Sequence, residues 1–315
     1  LTAVGYQAMY NNTTGVRNCA LGFEALESNQ TGGSCTAMGY QALYSNTGDG
    51  CSAFGNDALR NNTSGEKNTA LGNEALENNT TASFNTAVGH HALTTCTTGH
   101  INTAVGNQAG EDLTTGQSNV FVGASAGANV TTGGFNVLLG EAAAAALQEG
   151  SQNICIGHDA GRSSSPTGNL TSESNQICMG NNTHTAFKCK VSLTATSDKR
   201  DKTDITDFTH GLSWITKLRP VTYRWDMRSK YENGIPDGSK KEEQLNIGLL
   251  AQEELEVEKE HGFANDKNDM LVTTENSDGN YGMSYERLTP ILINAIKELS
   301  AENTALKARL DAAGL

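Results

Sequence analysis

Small apolar residues recur along the first half of the chain at a spacing of 17 residues, with one step of 16. Each copy is a variant of the frame N-T-A-(V/L)-G-x-x-A, as in NTALGNEAL (68–76), NTAVGNQAG (102–110) and NVFVGASAG (119–127). The frame glycines are Gly5, Gly22, Gly39, Gly55, Gly72, Gly89, Gly106, Gly123, Gly140 and Gly157. Ten copies at one period predict a solenoid in which each coil packs against the next.

The pattern inside one copy predicts a short strand, a helical turn and a loop. The segment T-A-V-G is small and β-branched, which favours a strand. Residues after the glycine, such as NEALEN (73–78), favour a helical turn. NNTTG (11–15) is typical of a turn in which glycine takes a positive φ. Pro is absent from residues 1–165, which suits an unbroken backbone ladder. At about 4.8 Å per coil, ten coils give a rod about 50 Å long.

The apolar stripe of each copy is narrow, because it consists mainly of Ala, Val and Leu. We therefore expect three chains to wrap about one axis, so that each hides its stripe against the other two. Gly and Ala at fixed positions allow the close approach of backbones that such packing needs.

The repeat degrades after Gly161, and QICMGNNT echoes its frame a last time around Gly180. The segment SSSPTGNLTSESNQ (163–176) is a polar loop, and it is either a receptor contact or a plain connector. Residues 185–196 alternate and predict a strand or two. The predicted organisation is a repeat shaft over 1–162, a β-rich distal tip or connector over 163–196, and a second domain over 197–315.

The composition changes at Ser197, since both tryptophans, three of the four prolines and most Lys and Arg residues follow it. This predicts a compact α+β domain. WITKLRPVTYRWD (214–226) predicts a helix end, a turn and a strand, and NIGLLAQEELEVEKE (246–260) predicts an apolar run that becomes helical. MSYERLTPILINAIKELSAENTALKARL (283–310) predicts the longest helix of the chain.

The last helix carries a coiled-coil pattern over residues 291–311. Its apolar positions follow a 4-3-7-4 spacing, and an asparagine occupies the missing core position, where it specifies register. We expect a parallel trimer. The predicted seam residues are Leu292, Ile296, Leu299, Asn303, Leu306 and Leu310.

Charge and composition narrow the function. The net charge is −13, and residues 1–165 hold four basic against twelve acidic residues, which argues against nucleic-acid binding. No stretch approaches 18 apolar residues, so we expect no membrane insertion. The seven cysteines include no CxxC pair, which predicts free buried thiols in a reducing cytosol. The chain opens at Leu1 inside the repeat, so we expect a fragment of a longer protein.

Four motifs of the second domain resemble, in order, the C-terminal intramolecular chaperone domain of phage tailspikes and tail fibres. They are SDKRDK (197–202), LRPVTYRW (218–225), IGLLAQE (247–253) and SYERLTPILINAIKEL (284–299). The repeat frame resembles the trimeric β-roll head repeats of autotransporter adhesins, although its period is longer, and it is similar to repeats of phage tail fibres. The resemblance implies a trimer that captures three chains, registers their β-structure and then cuts itself off.

The resemblance also implies a self-cleaving serine peptidase with a Ser–Lys dyad. It makes Ser197 the nucleophile, Lys202 the general base and Asp198 a supporting residue. Serine needs such a base to act as a nucleophile, and a lysine serves when burial or nearby cations lower its pKa. Lys199 and Arg200 favour that fall in pKa.

Two carboxylates, Asp198 and Asp201, oppose the same fall in pKa unless they point away from Lys202. The scissile bond is expected to adjoin Ser197, within Thr196, Ser197 and Asp198. The side of Ser197 on which the bond lies stays open.

The predicted function is therefore the distal part of a viral tail fibre, made in the host cytoplasm and carried on the virion. Its expected partners are two further copies of the chain, a host-surface receptor (a glycan or an outer-membrane component) and an upstream fibre or baseplate protein. The alternatives are a trimeric bacterial surface adhesin and a structural spacer that trimerises without cleavage. A glycan-degrading tailspike needs paired carboxylates on a large β-domain, and the acidic residues here are scattered.

No cofactor or metal is expected. His90 and His91 are adjacent and would point to opposite sides of a strand, which disfavours a shared metal site within one chain, although threefold symmetry would gather one His from each chain. The GxxxxG spacings lack the Lys-Ser/Thr of a phosphate loop. The N-x-(S/T) matches follow from the turn composition, and we expect them to be unglycosylated.

Overall fold

The computed structural model describes residues 1–165, 167–184, 186–190, 194–276 and 279–314. The chain divides into two compact units, Leu1–Thr185 and Ala186–Leu315. The first unit is one parallel sheet of eleven strands that pair in sequence order. The strands are β1 (Thr2–Val4), β2 (Cys19–Leu21), β3 (Thr36–Met38), β4 (Ser52–Phe54), β5 (Thr69–Leu71), β6 (Thr86–Val88), β7 (Thr103–Val105), β8 (Val120–Val122), β9 (Val137–Leu139), β10 (Ile154–Ile156) and β11 (Ile177–Met179). The predicted solenoid of about 17 residues per coil is confirmed.

The middle residue of the strands points into the solenoid. From β2 to β10 these residues are 0% exposed, and they are Ala20, Ala37, Ala53, Ala70, Ala87, Ala104, Phe121, Leu138 and Cys155. The turn after each glycine adds a second buried pair, such as Ala75 and Leu76. The inner apolar stripe is thus closed within one chain, and the expectation that it needs two further chains to be buried is wrong.

The repeat glycines stack at a point where only glycine fits. Gly72 has a φ of 145°, and a Cβ at this position would lie 2.3 Å from the carbonyl oxygen of Gly89 in the next coil. Residues with a side chain rarely adopt this φ, and the contact is far below van der Waals distance. The close backbone approach therefore joins coils of the same chain, where it had been expected between chains.

The segment after each glycine is a series of reverse turns, so the expected helical turn is wrong. In the first coil Gln7 and Met9 have φ values of 51° and 53°, which a right-handed helix does not allow. The amide of Met9 donates to the carbonyl of Ala25 in the next coil at 3.0 Å. The backbone bonds run between coils, and this arrangement outweighs the helical propensity of sequences such as NEALEN.

Buried asparagines form a ladder beside the strands. The side-chain carbonyl of Asn102 accepts the backbone N–H of Asn119 at 2.9 Å, and its amide donates to the carbonyl of Gly116 at 3.0 Å. The same pattern links Asn85 to Asn102, with an N···O distance of 2.8 Å. An asparagine supplies both a donor and an acceptor, so each rung satisfies backbone groups that the turns leave unpaired.

The second unit is a small α+β fold. Its helices are α1 (Leu212–Ile215), α2 (Ala251–Glu260) and α3 (Leu288–Ala313). Its strands form two antiparallel pairs, β12 (Val221–Tyr223) with β13 (Asn246–Gly248), and β14 (Thr273–Glu275) with β15 (Tyr281–Met283). Short 3-10 turns span Lys199–Asp201, Arg228–Lys230 and Tyr285–Arg287.

The core of the second unit is built around Trp214, which is 0% exposed and packs with Val257, Val272, Leu288 and Ile291. The predicted order of helix, strand, apolar run and long final helix is therefore observed.

The strand predicted over 185–196 is not found in the part that the structure describes. Residues 186–190 and 194–196 are exposed and take part in no strand pairing. Their alternation therefore has no neighbouring strand to pair with. The remaining positions of this prediction, 185 and 191–193, lie outside the described residues.

Candidate active site at Ser197 and Lys202

A single 3-10 turn positions the predicted dyad. The turn spans Lys199–Asp201 and is capped by Asp198, whose carboxylate accepts the backbone N–H of Arg200 at 2.9 Å. The backbone N–H of Lys202 donates to the carbonyl of Lys199 at 3.3 Å. An aspartate is among the best residues at such a cap because its side chain satisfies a free N–H.

This turn brings the side chains of Ser197 and Lys202 together. The Nζ of Lys202 donates a hydrogen bond to the Oγ of Ser197 at 2.6 Å. Both residues are exposed. The five-residue spacing that the sequence analysis singled out therefore corresponds to a direct contact between nucleophile and base candidates.

The neighbouring charges pair with each other. Arg200 forms a two-pronged contact with Asp198, at 2.6 and 3.1 Å to Oδ2 and 3.1 Å to Oδ1. The hydrogen bonds from the Arg200 side chain and backbone lower the pKa of Asp198. The guanidinium of Arg200 is thus paired with the carboxylate of Asp198. Asp198 supports the turn itself.

The contact defines what chemistry the pair can perform. An ammonium group that donates to Ser197 holds the hydroxyl in place, but a general base must be a neutral amine that accepts the hydroxyl proton. Removal of water from around an ammonium favours the neutral amine. The exposed pair therefore has the reach for base catalysis, and it needs a covering surface to perform it.

The final helix has two different halves. Leu288, Ile291 and Ala295 are buried against the unit's own core, whereas every residue from Leu299 to Gly314 is exposed. Asn303, at the polar position of the predicted seam, is among them. The exposed apolar seam residues are Leu292, Ile296, Leu299, Leu306 and Leu310, with 41–65% of each side chain accessible.

Sequence reasoning missed two buried carboxylates on α2. The carboxylate of Glu258 accepts backbone N–H groups from Leu271, Val272 and Thr273 at 2.6–2.9 Å, which ties α2 to β14. Glu254 accepts the indole N–H of Trp214 at 2.8 Å, and its second oxygen has no partner among the described residues. Their spacing of four in a helix that faces Trp214 was the available signal.

A Ser–His contact was also missed. The Oγ of Ser213 lies 3.2 Å from Nε2 of His261, and Nδ1 of His261 lies 2.8 Å from the carbonyl oxygen of Val257. Ser213 and His261 are 48 residues apart, so no local pattern links them.

The paired histidines of the shaft do not behave as residues of a strand. Their rings stack at 3.8 Å, and His91 lies between Glu74 at 2.8 Å and Glu111 at 3.1 Å. They occupy the turn after Gly89, so the expectation that they point to opposite sides is wrong. Within the described ranges no group of three or more His, Cys, Asp or Glu side chains is arranged to hold a metal ion.

Residues 197–263 match the family model Peptidase_S74, described as chaperone of endosialidase. The family is one of self-cleaving intramolecular chaperones, so the resemblance to such a chaperone is confirmed for this segment. A β-solenoid followed by this segment fits a protein of the tail-fibre or tailspike type. No curated protein and no solved structure matches the chain. No helix in the described part of the chain is long and apolar enough to cross a bilayer.

Proposed function

We propose that the chain is the distal part of a viral tail fibre whose C-terminal segment assembles three chains and then releases itself by a cut beside Ser197. The main observation behind this proposal is that the matched family segment begins at Ser197, and that Ser197 is hydrogen-bonded to Lys202. One intramolecular cut per chain is the enzymatic act, with Ser197 as nucleophile and Lys202 as base.

The final helix supports the trimer. Its exposed half carries apolar side chains at coiled-coil spacing, and a helix of this kind is stabilised when partner helices cover the seam. Asn303 stands at one core position, where a polar residue fixes register. Three copies of the chain are the partners that the proposal assigns to this helix.

The outer face of the solenoid sheet supports the same association. The first and third residues of each strand point outward, and none of them is charged in any of the eleven strands. The third position is always apolar, and examples are Leu71 at 49% and Val105 at 37% exposure. A chain with a net charge of −13 thus keeps one long face free of charge. A row of accessible apolar side chains of this kind is typical of an interface.

Assembly of three chains provides the covering surface that the Ser197–Lys202 pair needs for base catalysis. When a neighbouring chain covers the Ser197 segment, water leaves the ammonium group of Lys202 and the neutral amine becomes accessible. The amine then accepts the proton of Ser197, whose Oγ attacks a backbone carbonyl to form an ester, and the leaving nitrogen is protonated by the lysine. Water hydrolyses the ester. Cleavage thereby follows assembly.

The proposed setting is the virion tail fibre, after synthesis in the host cytoplasm. The shaft spaces an attachment site from an upstream fibre or baseplate protein. The receptor class is a glycan or an outer-membrane component of the host cell. The polar loop 163–176 is the proposed contact with that receptor, because irregular surface loops carry binding residues more often than regular elements do.

The test is a denaturing gel of the expressed full chain beside three variants. Wild type should give two bands, near residues 1–197 and 198–315, whereas Ser197→Ala and Lys202→Met should each give one. Lys241→Met, which removes an exposed lysine outside this turn, should cleave like wild type. Mass spectrometry of the new N-terminus identifies the side of Ser197 that is cut. Wild type that stays full length after it has trimerised would instead support a spacer without cleavage.

A further inference from the structure

Two cysteines face each other at the end of the solenoid sheet. Cys155 and Cys178 are the middle residues of β10 and β11, and the register pairs their Cα atoms. They are 0% and 2% exposed, so both thiols are enclosed within the shaft. We propose that this pair is an oxidation site, at which a disulfide ties the last coil of the shaft to the coil before it.

The backbone geometry allows this bond. Neighbouring strands lie about 4.8 Å apart, and disulfides join Cα atoms about 4.4–6.8 Å apart. Side chains on in-register strands run parallel, so the two Cβ atoms must close from about 4.8 Å to the range of about 3.5–4.5 Å, by about 1 Å for a typical disulfide. Among the described residues β11 is the last strand of the sheet and pairs with β10 alone, so it is less restrained than an inner strand in making this movement.

The bond would act where the solenoid is least regular. The two cysteines are 23 residues apart, against the usual 17 for a coil, because the polar loop 163–176 is inserted between them. A longer loop gives a crosslink more entropy to remove from the opened state. A disulfide at this point therefore restrains the coil that the repeat holds least firmly.

A second pair provides a control inside the same chain. Cys35 and Cys51 immediately precede β3 and β4 and are both fully buried. Their coils are paired on both sides, in the order β2-β3-β4-β5. Each thiol also donates to a carbonyl at 3.3 Å, Cys35 to Gly48 and Cys51 to Gly65. These coils have less freedom to close the gap, so this pair is expected to stay reduced.

The chemistry needs a disulfide oxidant, and oxidised glutathione is the one we assign. The thiolate of Cys178 attacks oxidised glutathione and releases one glutathione thiolate. The thiolate of Cys155 then attacks the Cys178 sulfur and releases the second. Two protein thiols are oxidised, two glutathione thiols are formed, and two protons are released from the cysteines. Because both thiols are at most 2% exposed in the folded coil, this exchange takes place before the last coil closes.

The experiment uses the full chain with Ser197→Ala, produced in cells with an oxidising cytoplasm that supplies oxidised glutathione during folding. Free thiols are alkylated under denaturing conditions, and trypsin with a Glu-specific protease separates peptides 150–162 and 174–188. The expected result is a crosslinked species joining these peptides that disappears on reduction. Cys35 and Cys51 should be recovered alkylated. Both proposed disulfide partners lie upstream of Ser197, so the result does not depend on autoproteolysis.

Recovery of Cys155 and Cys178 as fully alkylated as the lone Cys96 would overturn the proposal. So would equal crosslinking of Cys35 with Cys51, since the terminal position would then have no special role. Hydrogen exchange adds a second readout, because amides of 177–179 should exchange more than tenfold more slowly after oxidation. In Cys178→Ser the exchange rate of these amides should not change on oxidation. An equally large slowing in that variant would also refute the proposed disulfide.

Discussion

The stability of the C-terminal unit should fall as the pH rises, because of Glu254. This side chain is 1% exposed and faces Trp214 and Glu258. Burial raises its pKa from 4.5 to about 7, helped by the charge of Glu258 and opposed by the hydrogen bond from Trp214. A raised pKa means that folding favours the protonated carboxyl. The stabilisation is therefore fully present below pH 4.5 and is lost as the pH rises through 7.

The size of this effect follows from the shift. A rise in pKa from 4.5 to about 7 corresponds to about 3 kcal/mol in total, most of which is lost between pH 5 and pH 8. Glu254→Gln has a neutral side chain at every pH, so it should lose this dependence. The amide that this substitution introduces brings a buried donor with its own cost, but that cost does not change with pH.

The assay is urea unfolding of the full chain at fixed concentration, followed by the fluorescence of buried Trp214. Trp225→Phe removes the second tryptophan and Ser197→Ala keeps the chain in one piece. Glu256→Gln is the matched control, because Glu256 lies on the same helix and is exposed. If Glu254→Gln and Glu256→Gln leave the same pH dependence as wild type, the assignment to Glu254 is refuted.

Two further predictions concern the shaft. Asn102→Ala leaves the N–H of Asn119 and the carbonyl of Gly116 without their hydrogen-bond partner, at a cost of about 1–3 kcal/mol each. Hydrogen exchange at the backbone N–H of Asn119 should therefore become more than tenfold faster. Asn107 is exposed, so Asn107→Ala should leave this exchange rate unchanged. Deletion of residues 197–315 before expression should leave 1–196 monomeric or aggregated, and a clean soluble trimer of 1–196 in sedimentation would contradict the chaperone role.

The sequence predicted the periodic part of the fold well, because its information lies in spacing. Ten glycines at one period imply coils whatever their internal geometry, and the structure places Gly72 and Gly89 in backbone contact. The interior of a coil was less accessible to prediction. The positive φ values of Gln7 and Met9 follow from hydrogen bonds to the next coil, and helix propensity contains no term for such bonds.

In the second unit, too, the sequence predicted contacts within one turn and missed contacts between distant segments. Ser197 and Lys202 are joined by one local turn, so their spacing and the Asp198 cap were sufficient to predict their contact. Glu254, Trp214 and His261 meet through the packing of α1 on α2. That arrangement depends on residues about 40 positions apart, and the sequence of neither helix specifies it.

If the C-terminal segment assembles the shaft as proposed, the closed core changes the reason why the shaft needs it. Each chain buries its own inner stripe, so the proposed association of three chains has to be directed by the outer face, on which Leu71, Val88 and Val105 follow one another with little change. A slip of one chain by one coil, about 4.8 Å, matches almost every outer residue with an equivalent one and loses contacts only at the ends. Repetition that makes the coil stable therefore leaves the register between chains poorly specified. The C-terminal segment is not repetitive, and its coiled-coil seam has one asparagine, Asn303. Chains that are shifted relative to one another in this segment would therefore no longer align equivalent residues. We infer that register is set there, and that the segment becomes dispensable once the outer faces have packed, which is the point at which a cut beside Ser197 costs the fibre least.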